Sequence, residues 1–268
     1  MDEIVSQNGR TFLEMFERTM IQGIEVKPRG YLIKEIEDLK LTVNPLFPFM
    51  TFRDRKYSVD YFKKEMLWKL SANKYDASIK QHARMWESVQ NPDGTFNSNY
   101  GVFWFGEQNG FWSVVQELIR DADSRRAVIP MLSKDHLKPE TIDTVCTESV
   151  GFRIRDGKLN MSIHMRSSDQ VFGLGTDIPT FAFLYRLVYG VMQMMECDLS
   201  IGTMCITAMS SHIYDRHFEM VNRIINNGVD ELEAVLMPFC TGREALRIIA
   251  SRGKNMAGTG ELGEWLVS

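Results

Sequence analysis

Residues Cys146 to Asp177 read C-T-E-S-V-G-F-R-I-R-D-G-K-L-N-M-S-I-H-M-R-S-S-D-Q-V-F-G-L-G-T-D. Phe152, Ile154, Leu159, Met161, Ile163 and Met165 alternate with Arg153, Arg155, Lys158, Asn160, Ser162 and His164 around Asp156-Gly157. Period-two alternation about an Asp-Gly pair predicts two antiparallel strands joined by a tight turn, with one face in the core. Returning strands bring the two ends of such a hairpin together, so Cys146 and Arg166 are expected as neighbours. A guanidinium beside a thiol favours the thiolate, the nucleophilic form. Arginine and serine together at Arg166-Ser167 suit a phosphate monoester.

Outward from the hairpin, Ile178 to Met195 is almost wholly apolar and predicts a long buried helix. Asp177 stands where an N-cap would, with Pro179 in the first turn. Met204 to Met209 reads as a buried strand, Asp215 to Asn226 as a helix, and residues 229–251 as helical again. The Gly-rich end, 253–268, reads as a mobile tail. On the other side, residues 9–23 carry Phe12, Met15, Phe16 and Met20 on one helical stripe. Tyr31 to Val43 reads as one or two strands, and Pro45 and Pro48 end the regular pairing. Ser58 or Asp60 caps a helix containing Glu65, residues 79–90 form a short helix with Trp86, and Trp112 to Arg120 another. Ala127 to Leu132 is strand-like, with Pro130 marking an edge or a bulge. Strands and helices interleave around an antiparallel hairpin. That order predicts an α+β fold in a single domain over 1–268, a mostly antiparallel or mixed sheet flanked by helices.

The whole chain narrows the function. It has 268 residues, 44% of them hydrophobic, and a formal charge of −4, which argues against a basic nucleic-acid stripe. Four cysteines (Cys146, Cys197, Cys205, Cys240) lack CxxC spacing and fit reduced thiols and a cytoplasmic protein. His212 and His217 are five apart and do not share a helix face, so no metal site is expected. There is no secretory leader and no apolar run of about 18 residues, so no membrane association is expected. Gly173-Leu174-Gly175 lacks the further glycine and the lysine of nucleotide loops. Glu65 lies among Phe62, Met66 and Trp68, where a carboxylate either faces solvent or handles protons.

Several motifs stand in one order: Glu65-Met66-Leu67-Trp68, Asn99-Tyr100-Gly101, Asp123-Ser124-Arg125-Arg126, Cys146, Asp156-Gly157-Lys158-Leu159, Arg166-Ser167-Ser168-Asp169 and Ser211-His212-Ile213-Tyr214. Together the sequence resembles the thymidylate synthase superfamily, and within it the phage deoxycytidylate (dCMP) hydroxymethylases. The resemblance implies that Cys146 adds to C6 of a pyrimidine ring and that C5 then takes the one-carbon unit of 5,10-methylenetetrahydrofolate. It implies proton handling by Glu65 and phosphate binding by Arg166, Ser167 and Arg29. Arg125 and Arg126 would come from the partner subunit of a homodimer. Ser210, His212 and Tyr214 would hold the base and sugar. Asp169, Trp86 and Tyr100 would lie on the folate side.

Two departures from a synthase matter. The nucleophile sits in Val145-Cys146-Thr147 where a synthase has Pro-Cys-His, and Asp177 stands where a synthase has asparagine. An asparagine amide donates to O4 of uracil and accepts from N3–H, whereas a carboxylate only accepts. Asp177 therefore suits the N4 amino group of cytosine and an N3 that carries a proton. The implied product is 5-hydroxymethyl-dCMP. A dUMP hydroxymethylase, a thymidylate synthase, a CMP hydroxymethylase and a non-catalytic nucleotide-binding relative stand as alternatives.

Overall fold

A computed structural model describes residues 2–195 and 197–268. In chain order its elements are α1 (Asp2–Gln22), β1 (Ile24–Val26), β2 (Ile33–Val43), α2 (Val59–Leu70), α3 (Met85–Val89), α4 (Gly101–Phe105), α5 (Gly110–Arg120), β3 (Val128–Pro130), β4 (Thr147–Arg155), β5 (Lys158–Asp169), α6 (Gly173–Met194), β6 (Ser200–Tyr214), α7 (Phe218–Asn227), α8 (Gly242–Ser251) and α9 (Glu261–Val267). The strands form one mixed sheet in the order β1-β2-β6-β5-β4-β3. This is the expected α+β architecture. Among the described residues no helix is long and apolar enough to cross a membrane.

The β4–β5 hairpin turns at Asp156 and Gly157, whose φ values of 49° and 67° are those of a two-residue turn matching strand twist. Pro130 lies in β3 at the sheet edge, where a missing N–H costs no ladder bond. All neighbouring pairs are antiparallel except β5 and β6, which run parallel with Ser162 opposite Cys205 and Asp169 opposite His212. A parallel pair needs a crossover, and α6 supplies it. Phe181, Leu184, Leu187, Val188 and Val191 of α6 are buried to zero exposure. The Tyr185 hydroxyl donates to Leu159 O (2.8 Å) and accepts from Gly202 N (3.1 Å), tying the helix to both strands it joins.

Several boundaries differ from the sequence reading. α6 begins at Gly173, so Asp177 is its fifth residue and not its cap. The strand expected at 204–209 runs from Ser200 to Tyr214 and absorbs Ser211-His212-Ile213. Residues 79–90 split into a 3-10 turn (Ala77–Gln81) and α3. Of 229–251, only 242–251 is α-helical; the chain before it is a 3-10 turn (Gly228–Glu231) followed by irregular chain, and Pro238 cannot continue a helix. The expected mobile tail is packed. Leu262 and Leu266 of α9 are buried, and the Trp265 ring lies 6.2 Å from those of Phe49 and Phe62.

The irregular segment owes its place to Arg186 of α6, which is fully buried. Its guanidinium donates to the carbonyls of Met237, Pro238, Pro45, Leu46 and Ala182 at 2.9–3.2 Å and stacks on Phe239 (4.5 Å). One side chain thus satisfies two loops that have no ladder of their own. Burial lowers its pKa to about 9. Arg186→Leu would strand these carbonyls, so thermal unfolding is expected to show a loss of at least about 3 kcal/mol.

Candidate active site

The parallel β5–β6 pair determines where the site forms. α6 leaves the end of β5 and returns to the start of β6, so its first turns lie beside the carboxyl ends of both strands. Asp169 ends β5, Tyr214 ends β6, and Asp177 starts down α6. Cys146 immediately precedes β4, whose Thr147 opposes Met165 near the end of β5. Sequence-distant residues therefore converge on one cavity. Its two lobes, of about 790 and 620 Å³, share Trp86, Ser98, Cys146, Asp169, Asp177 and Tyr214. Two lobes meeting at a thiol suit two ligands that must react with each other.

Arg166 clamps the segment that carries the thiol. It donates from Nε to Val145 O (3.0 Å) and from Nη2 to Thr144 O (2.7 Å), and Nη2 stands 3.7 Å from Cys146 Sγ. Burial pushes the Cys146 pKa up, Arg166 opposes it, and Asp177 and Asp143 add to the rise. Arg166, Ser167, Ser210, His212 and the exposed Arg29 all line the larger lobe. Tyr100 and Glu65 line the smaller one. Tyr100 stacks on Phe181 (5.8 Å) and accepts a hydrogen bond from Thr147 (3.2 Å). Its phenol is held neutral by burial first, with Asp177 and Cys146 adding to the effect. Trp86 packs on Trp68 (4.9 Å) and donates to Tyr61 Oη (2.9 Å).

Glu65 does not face solvent. It is buried on α2, with Lys69 Nζ 2.5 Å from its Oε1. The motif around Tyr100 also has a structural reason: a Cβ on Gly101 would lie 1.6 Å from Lys69 O, so only glycine lets α4 approach α2 there. Asp177 is half-buried, and its removal from water pushes the carboxyl up to about 7; Lys69 opposes this, while Glu65 and Asp169 reinforce it. His212 lies across the sheet from both Asp169 and Glu35, and burial lowers its pKa against the pull of those two carboxylates.

Arg125 and Arg126 do not join this cavity. Arg125 lines a separate recess of about 270 Å³ with Arg153, Arg155, Ser162 and His164. The sequence reading passed over Lys69, Glu35, Asp143 and Ser98, all of which line the cavity. Asp143 is buried, receives hydrogen bonds from Ser98 N and Oγ, and has its pKa raised by burial. Lys69 at four residues after Glu65 carried a readable i,i+4 signal; Asp143, in irregular chain, carried none.

The thymidylate synthase family model matches residues 10–238. The chain is 30% identical to the deoxycytidylate 5-hydroxymethyltransferase of Enterobacteria phage T2 over 185 residues, 63% of this chain and 72% of that one. It is 30% identical to the phage T4 protein of the same description over 179 residues, 61% of this chain and 70% of that one.

A carboxyl whose folded pKa is raised stabilises the protein below its unfolded pKa and loses that contribution as pH rises through about 7. Asp177→Asn cannot ionise. In thermal melts of the ligand-free protein the variant should therefore gain on the parent as pH rises from 4 to 8, by roughly 1–3 kcal/mol.

Proposed function

We propose that this chain, which belongs to the thymidylate synthase family, transfers the one-carbon unit of 5,10-methylenetetrahydrofolate to C5 of dCMP and adds water to give 5-hydroxymethyl-dCMP. The family uses that folate as co-substrate. The observation that carries the reading is a carboxylate, Asp177, on the wall of the cavity that holds the Cys146 thiol. The two phage relatives described as deoxycytidylate hydroxymethyltransferases support it.

In this reading Arg166, Ser167 and Arg29 take the 5′-phosphate at the mouth of the larger lobe, and Ser210, His212 and Tyr214 take the base and sugar. Arg125 and Arg126 lie outside their own chain's cavity, so a phosphate role for them requires a second copy, as a homodimer. Asp169, Trp86 and Tyr100 border the lobe left for folate. With a pKa near neutrality, Asp177 meets cytosine as an acid, donating to N3 and accepting from N4. The Cys146 thiolate adds to C6 as the Asp177 proton moves to N3. C5 attacks the folate methylene, and one C–N bond of the folate breaks. The C5 proton leaves towards the Glu65 region, and the second C–N bond breaks to release tetrahydrofolate. Water adds to the exocyclic methylene, N3 returns its proton, and the thiolate departs. No hydride moves, so the folate leaves unoxidised.

The test is to incubate the protein with methylenetetrahydrofolate and dCMP, CMP or dUMP separately. Mass spectrometry should find hydroxymethyl-dCMP, without the absorbance change of dihydrofolate formation; a methylated product would overturn the water step. Cys146→Ser should lower turnover by at least about 10³-fold while nucleotide binding persists. Asp177→Asn should move preference from cytosine to uracil nucleotides, read as the ratio of kcat/KM values.

A further inference from the structure

Lys69 takes no part in the proposed steps, yet its ammonium is buried and paired. Its side chain is 2% exposed. Its ammonium meets Glu65 Oε1 at 2.5 Å and Thr180 Oγ1 at 3.2 Å, and lies 5.0 Å from the centre of the Tyr100 ring. Taking an ammonium out of water costs several kcal/mol unless partners compensate. One carboxylate and one hydroxyl do so here, but a well-packed apolar pair at 65 and 69 would hold α2 equally well. Thr180 and Asp177 are three residues apart on α6 and share a face. Lys69 thus stands between the α2 carboxylate and the α6 face that presents Asp177 to the cavity.

The charge around Asp177 explains the arrangement. Burial, the Glu65 carboxylate on α2 and the Asp169 carboxylate on β5 all disfavour an anion there, and Lys69 opposes all three. Tyr100, at the start of α4, is neutral, as is a protonated Cys146. Two carboxylates in one poorly hydrated cavity do not both ionise without a cation to balance them. An asparagine in place of Asp177 would remove the carboxylate that faces Glu65 across Lys69, and with it that demand.

We propose that Lys69 is the counter-charge that lets Glu65 and Asp177 be ionised together, and is thereby a positioning residue that determines specificity for cytosine. The proposal rests on Asp177 as the reader of the base. When the thiolate adds and the Asp177 proton passes to N3, the ring adduct is neutral and the Glu65 and Asp177 carboxylates are both anions, with the Lys69 ammonium between them. Without Lys69 the two carboxylates face each other with no cation between them, and the transfer becomes unfavourable. In the Asp177→Asn background no such proton passes, and Lys69 serves only Glu65.

A double-mutant cycle separates these roles. Lys69→Gln keeps donors for Glu65 and Thr180 but removes the charge, and Lys69→Arg keeps the charge. We expect Lys69→Gln to lower kcat/KM for dCMP by about 100-fold, the equivalent of roughly two pKa units. Lys69→Arg should recover most of it. In the Asp177→Asn protein, where Lys69 still pairs with Glu65, Lys69→Gln should lower uracil-nucleotide turnover by no more than about tenfold. As a second readout, the Asp177 carboxyl carbon, followed by NMR in ligand-free protein, should titrate at higher pH in Lys69→Gln. This needs only a folded chain. Equal losses in both backgrounds, or an unmoved Asp177 midpoint, would overturn the role of Lys69. If Asp177→Asn alone left the preference for dCMP intact, the base reading beneath it would fall instead, so the two failures are distinguishable.

Discussion

Two neighbouring strands that point the same way cannot be joined by a turn, and most of this molecule follows from that constraint on β5 and β6. The chain must leave the end of one strand and travel back to the start of the other. α6 makes that journey through the core, which is why it is apolar on every side. Its first turns then face the carboxyl ends of the pair, and this is where open sheets that use such crossovers hold ligands. The thiol reaches the same place by the opposite route, because β4 is antiparallel to β5 and starts where β5 ends. Arg166 joins the two, holding the carbonyls of Thr144 and Val145 while its guanidinium faces the sulfur.

The cavity is built from charges that would be unstable singly. Arg166 and Lys69 are cations, Asp177, Asp143, Glu65 and Asp169 are acids, and Tyr100 stays neutral among them. Three elements place most of them. α2 contributes a carboxylate and an ammonium one turn apart, α6 an acid on its inner face, β5 an acid and a guanidinium near its end. The supporting packing is correspondingly tight. Gly101 sits against the carbonyl of Lys69, and the tail that docks Trp265 on Phe62 backs the same helix from outside.

How much of this was legible depended on whether the signal was local. The hairpin was readable because alternation and a two-residue turn are properties of a dozen adjacent residues. Cys146, Arg166 and Asp177 stood out because they flank it and resemble family positions. Asp177 as a cap was misplaced because Gly173 and Gly175 look like a loop, yet the helix accepts them; Arg55 Nη2 occupies the space where a Cβ on Gly175 would go. The packed tail was missed because Leu262, Trp265 and Leu266 are few among glycines, and only their partners on α2 show them to be core. Arg186 gave no signal, since five backbone carbonyls from three segments have no sequence pattern. Glu35 and Asp169 flank His212 across three strands, a row that exists only once strand order is known.

The placement of β6 has a consequence for how the protein comes into being. It is the sixth strand made but sits third in the sheet, between β2 and β5. Val43 pairs with Met204 and Ile33 with Tyr214, so the two halves of that ladder are well over a hundred residues apart. During synthesis β2 waits with its long edge open while β3, β4, β5 and α6 emerge. Non-local pairing of this kind closes slowly, and an open apolar edge is a template for other chains. Folding therefore completes only when β6 slots between strands that already exist, and the interval before that step is when the nascent chain most needs a chaperone.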